Sequence, residues 1–158
     1  MENQTENVAE ASTAKQYIVV NLGHEQYGIN IKYVDSIVRM QSITRVPKSQ
    51  PFFTGVINLR GEIVPVMSLR RKFGLEDDEY TNASRIIILK PEPQAKIGFI
   101  VDSVKEVVTL EESQIESNSV DIEKNENAYV AAVGKYNNDI VSLLDIHEVI
   151  GDAENITA

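Results

Sequence analysis

An all-β protein with short helices is the fold class this sequence predicts, and three observations carry the prediction. Short runs of apolar, β-branched and aromatic residues recur along the chain. Turn-forming pairs such as Gly23-His24, Arg60-Gly61 and Asn137-Asn138 separate them. No amphipathic helix long enough to cross over between parallel strands lies among them. The pattern gives about nine or ten short strands, the spacing expected of a sandwich or barrel.

Taken in order, residues 1–14 are small and polar and read as a disordered tail. Tyr17-Ile18-Val19-Val20-Asn21-Leu22 is a strand, Gly23-His24 its turn, and residues 25–29 the return. Ile31, Val34, Ile37 and Val38 recur at helical spacing, which suggests one helical turn running into a strand. Pro51-Phe52-Phe53 is suited to start a helical turn, with Pro at its first position. Residues 56–59 and 62–64 form a hairpin around Arg60-Gly61, and Pro65 places the return strand at an edge or at a bulge. Ser68 is a cap for a short helix that Gly74 ends, and residues 76–83 form an acidic loop.

The second half repeats the design. Arg85-Ile86-Ile87-Ile88-Leu89 is continuously apolar after its first residue, as expected of a strand buried on both faces. Pro91 and Pro93 mark a turn before strands at 96–101 and 104–110. Residues 111–127 read as a long acidic loop. A hairpin of 129–136 and 140–144 turns at Asn137-Asn138-Asp139, because Asn tolerates left-handed backbone angles. Residues 146–150 make a last helical turn, and a polar tail follows from Gly151. At 158 residues the chain is one domain, or two subdomains of roughly 15–80 and 81–150 sharing a core, with exchange of strands between them allowed.

Composition narrows the function. Lys and Arg total 15 against 24 Asp and Glu, a formal charge of −9, which does not suit a broad grip on a phosphate backbone. Residues 39–72 run against this trend: seven basic side chains face one acid there, so that window nets +6 and the remainder −15. Such a segment fits a patch that meets an acidic partner. With no Cys, a disulfide framework, a thiolate metal site and a Cys nucleophile are excluded. The two histidines, His24 and His147, have no neighbouring ligand at metal-binding spacing. No phosphate-cradling or nucleophile-elbow motif occurs. Asp121 to Glu126 departs from a calcium loop, which needs Gly at its sixth place and a bidentate acid where Ala132 stands. The run Glu76-Asp77-Asp78-Glu79 reads as solvated. An enzyme is therefore not expected, nor a cofactor or metal. A small-barrel nucleic-acid binder would want aromatic platforms, and aromatics are only 6% with no Trp. No segment before Ala14 reads as a secretion signal and no apolar run reaches membrane-spanning length, so direct membrane insertion is not expected.

What remains is a binding module. Gly55-Val56-Ile57-Asn58-Leu59-Arg60-Gly61, an apolar run through Pro65, then Ser68-Leu69-Arg70 and Phe73-Gly74 resembles the signature of the CheW family of bacterial chemotaxis coupling proteins. Tyr27-Gly28-Ile29 with Ile31, Val34 and Ile37, Gly98-Phe99-Ile100-Val101-Asp102 with Val104 and Val107, and Leu143-Leu144-Asp145-Ile146 resemble its other segments, so the likeness spans about residues 16–150. It implies two small five-stranded SH3-like barrels with an apolar core between them. It also implies a non-catalytic, cytoplasmic adaptor recruited to receptor arrays. Its partners would be the tip of a methyl-accepting chemoreceptor and the regulatory domain of the histidine kinase CheA. Carried over by motif, Val34, Ser36, Ile37, Arg60, Val101 and Val107 would belong to the receptor-binding surface, and Ile43, Arg45, Val46, Phe52 and Phe53 to the kinase-binding one. Two positions depart from the family pattern: Ser36 stands where Glu is common, and Ser68 where the D-L-R motif has Asp. A CheW-like domain of a CheV-type protein without its receiver is the alternative reading.

Overall fold

The computed structural model describes residues 14–47, 49–117 and 129–151. The expected tails before residue 14 and after Gly151, the basic Lys48, and the acidic run Asp121 to Glu126 lie outside the described residues. The strands are β1 (Lys15–Leu22), β2 (Glu25–Asn30), β3 (Val34–Arg39), β4 (Phe53–Leu59), β5 (Glu62–Ser68), β6 (Arg85–Glu92), β7 (Ala95–Val101), β8 (Ser103–Leu110), β9 (Ile115–Ser117), β10 (Val130–Tyr136) and β11 (Asp139–Leu144). Short helices follow β5 (Leu69–Lys72) and β11 (Ile146–Ile150), and single 3-10 turns precede β3 and β9.

These strands make two sheets. One has the order β8-β1-β2-β11-β10-β9 and the other β3-β6-β7-β5-β4. The acidic loop at 76–83 falls inside the second sheet, between β5 and β6. Sheet membership therefore divides the chain into a middle, 34–101, and its two ends.

Both sheets must roll. In the second, β3 lies at one edge, yet Thr44 bridges Val56 of β4 at the other. Five residue steps separate Arg39 from Thr44 and reach at most about 17 Å. A flat sheet would need about 24 Å to place Thr44 beyond β4. In the first sheet, Leu110 ends one edge strand and Ile115 begins the opposite edge strand, again five steps apart. Gly55 serves this closure: its φ is +150°, and a Cβ there would run into the Thr44 carbonyl.

Rolling leaves three apolar cores. Tyr17, Val19, Val108, Leu110, Val141 and Leu143 fill the first sheet. Ile57, Val64, Val66, Ile86, Ile88 and Ile100 fill the second. The largest cluster lies between them, joining Ile18, Val20, Leu22 and Ile29 to Met67, Ile87, Leu89, Phe99 and Val101. Successive residues of a strand face opposite ways, so β1 and β6 each feed two cores. That is why residues 86–89 are apolar without interruption and wholly buried.

Several local expectations are met and several are corrected. The 3-10 turn Ile31–Tyr33 does pass into β3. Asn137 and Asn138 do adopt positive φ at the β10–β11 turn. Pro51-Phe52-Phe53 starts no helix; the Phe53 N–H donates to the Gln50 carbonyl at 2.9 Å to close a turn, and Phe53 opens β4. β5 is not an edge strand. Val56 spends its N–H and C=O on Thr44, so the Pro65 nitrogen opposite it points away from β4, where the ladder to β7 has yet to begin at Val66. β6 runs through Pro91 to Glu92 across a register shift, so the turn begins only at Pro93. The supposed loop after residue 110 contains β9, three residues paired to β10, with Ile115 packed on the first sheet's core.

Candidate functional site

The two surfaces expected from the motifs are built by different elements. β3 and β8 are edge strands, one in each sheet. Ile37 lies opposite Ile87, and Val107 opposite Ile18; both partners belong to the central core. Residues paired across a ladder share a face. Ile37 and Val107 therefore continue the inner faces of the two sheets past the edge of that core, and they are 41% and 48% exposed. Val34 and Val104 sit deeper on the same strands and pack against the core. Val101 is wholly buried in the central cluster, so it is not part of the exposed surface. Ser36 lies beside the register shift in β3 and is half-buried.

Arg60 projects from the β4–β5 turn. Its φ is +53° and that of Gly61 +87°, and the Gly61 N–H donates to Asn58 Oδ1 at 2.9 Å. A left-handed Arg costs about 1–2 kcal/mol relative to its ordinary backbone, so this turn holds an exposed cation at some expense. Among the described residues its guanidinium makes no hydrogen bond or ion pair, which removes the idea that it ties its hairpin to a neighbouring loop. Its neighbours are paired: Lys96 Nζ lies 3.2 Å from Glu62 Oε1 and 3.7 Å from Asp35 Oδ2. Arg60 stands two residues before Glu62 and Ile37 two after Asp35, so Lys96 links the chain segments that carry them.

The second surface is a recess of about 540 Å³, and it gathers Arg45, Val46 and Phe53 with Pro47, Pro51, Thr54 and Arg71. Phe53 is nearly buried and forms part of its floor. Thr54 Oγ1 is buried with no hydrogen-bond partner. Ile43 instead packs on the second sheet's core. Phe52 stands beside the recess, 4.9 Å from the Phe53 ring, with Lys72 Nζ 4.0 Å above its face. Arg71 is engaged with Asp77 at 2.9 Å and with the Pro51 carbonyl at 3.2 Å.

One site escaped the sequence reading. Arg70 donates from Nε to Asp102 Oδ1 at 2.8 Å and from Nη2 to Oδ2 at 2.6 Å, while the Gly23 N–H donates to the same Oδ2 at 2.8 Å. This clamp joins the Leu69–Lys72 helix, the β7–β8 junction and the β1–β2 turn, and so ties the two sheets together. Hydrogen bonding to Arg70 holds the Asp102 carboxyl below the usual aspartate range, and the same bond raises Arg70. Asp78 corrects the picture of a solvated acidic loop. It is half-buried, accepts from the Ser68 hydroxyl, and has its other oxygen buried without a partner. Burial pushes its carboxyl above the usual range. Ser68 still caps its helix, accepting from the Arg71 N–H at 3.1 Å, as expected where Ser replaces Asp.

Among the described residues no group of His, Asp and Glu side chains is placed to hold a metal ion, and no helix is long and apolar enough to cross a membrane. Two rolled sheets that share a core and display exposed apolar and cationic side chains define a class, the compact β-scaffolds that present surfaces to other proteins. Within that class the chain belongs to the CheW family of chemotaxis scaffold proteins, since the CheW-like domain profile matches residues 16–154. It is 35% identical over 142 residues to the chemotaxis protein CheW of Bacillus subtilis, covering 90% of each chain. A crystal structure of the scaffolding protein TtCheW from Thermoanaerobacter tengcongensis superposes with a TM-score of 0.79 at 33% identity, over 87% of this chain and 92% of that one. The chemotaxis protein CheV3 of Helicobacter pylori is 26% identical over 80% of this chain but only 41% of its own length.

Proposed function

We propose that this protein is a non-catalytic adaptor that couples chemoreceptor cytoplasmic tips to the regulatory domain of a CheA-type histidine kinase. It would act in the cytoplasm, at receptor arrays on the membrane. The observation that carries this reading is Arg60, an exposed cation on a left-handed turn that makes no ion pair among the described residues. A planar fork with five donors suits the carboxylates and exposed carbonyls of a helical receptor tip. Ile37 and Val107, with Val34 behind them, offer apolar anchors for the same helix. The recess of Arg45, Val46 and Phe53, flanked by Phe52, suits the kinase, because an apolar floor beside a cation favours a reversible, charge-steered contact.

Calorimetric titration against the kinase regulatory domain and, separately, a receptor-tip fragment tests the reading. Saturable binding to both is expected. Arg60→Ala should weaken the receptor contact by about 2 kcal/mol, roughly thirtyfold, while leaving the kinase contact and the melting temperature unchanged. Binding to neither partner by the folded protein would refute the proposal. The match to part of CheV3 favours one second reading, in which this domain serves the receptors as a CheV-type module does. That reading is distinguished by receptor binding without kinase binding.

A further inference from the structure

We infer that Lys96 is a positioning residue of the receptor-facing rim, one that keeps Arg60 free for its partner; the inference rests on the receptor-binding reading above. Lys96 is in β7, in the middle of the second sheet, and its ammonium reaches two strands that are not neighbours. It lies 3.7 Å from Asp35 Oδ2 on β3 and 3.2 Å from Glu62 Oε1 at the start of β5. Its side chain is 23% exposed, against 34% for Asp35 and 62% for Glu62, so the cation is the more enclosed member of the trio. Ile37 follows Asp35 by two residues, and Arg60 precedes Glu62 by two. Lys96 therefore holds together the two segments from which the receptor-facing side chains project.

The charges give it a second task. Without Lys96, Asp35 and Glu62 would lose the cation that lies between them, and Arg60 stands two residues before Glu62 in the chain. A long, flexible guanidinium two residues from Glu62 would fold back onto it, and a partner would then have to compete with an internal ion pair. With Lys96 present, the cation between the two carboxylates is Lys96, and it competes with Arg60 for Glu62. Either loss of registry between the strands or capture of Arg60 weakens the receptor contact, but only capture is relieved by removing the Glu62 charge.

The test uses the full chain, a soluble receptor-tip fragment and the kinase regulatory domain, with affinities from calorimetry. Lys96→Met should weaken tip binding roughly two- to fivefold, since released ion pairs at partly exposed sites are worth about that much. Kinase binding should not change, which also shows that the variant is folded. Lys96→Met with Glu62→Gln should recover most of the lost tip affinity. Unchanged tip affinity in Lys96→Met, or no recovery in the double variant, would overturn the inference while leaving the receptor reading intact. A wild-type chain that binds the kinase domain but not the tip would overturn the receptor reading, and this inference with it.

Discussion

Replacing Asp102 by Asn should separate the clamp between the sheets from everything else in the fold. The carboxylate accepts three hydrogen bonds, at 2.8, 2.6 and 2.8 Å, two of them from the Arg70 guanidinium. A charge-assisted hydrogen bond contributes about 1.5–3 kcal/mol net. Asn keeps one acceptor oxygen but turns an amide NH2 toward a donor. The Asp102 side chain is 30% exposed, so solvent screens part of the loss. Together these give a destabilisation of about 2 kcal/mol, or a melting temperature lower by roughly 4–8 °C for a domain of this size. Urea unfolding of both proteins across pH makes the test specific. The folded carboxyl titrates below its unfolded value. Its contribution is therefore whole above the unfolded value near pH 3.9 and is lost as pH falls through the folded one. The gap between wild type and Asp102→Asn should be constant from pH 7 to about pH 5 and close under acid. Equal stability at pH 7, or a gap that persists undiminished in acid, would refute the clamp.

Two further outcomes follow from burial. Val101→Ala removes two methyl groups from the central core and should cost about 1.5–3 kcal/mol in stability, whereas Val107→Ala should leave melting unchanged and weaken only the receptor-tip contact. Asp78→Asn should raise stability at neutral pH, because burial disfavours the charge that Asp78 carries there. That advantage should shrink as pH falls through the raised carboxyl pKa and vanish below the ordinary aspartate value, as unfolding curves at pH 7 and pH 3 would show.

Hairpins were legible because their turns advertise themselves. Gly23, Arg60-Gly61 and Asn137-Asn138 all adopt the positive φ that such turns demand. The doubly buried strand was legible too, since residues 86–89 carry no polar position at all. Sheet membership was not, because alternation records which way a side chain faces and not which strand lies beside it. β9 escaped because three residues, Ile115–Ser117, give a period of two no room to show. Of the surface residues, Arg60, Ile37 and Val107 could be placed by motif and are exposed. Val101 comes from the same segment as Val107 yet lies in the core, since a short signature does not tell packing residues from exposed ones. The Arg70–Asp102 clamp joins positions 32 residues apart, and nothing in either neighbourhood names the other.

The nesting of one sheet inside the other bears on how the chain is made. Every strand of the second sheet comes from residues 34–101, so that unit can close as soon as β7 leaves the ribosome. The β1–β2 hairpin emerges first but must wait for β8 and β11, which both follow the middle unit, to cover both its flanks. Throughout that interval Ile18, Val20, Leu22 and Ile29 can be sheltered only by the finished middle unit. The newborn hairpin thus depends on an early-folding companion, and damage to the middle of the chain should surface as aggregation of its beginning.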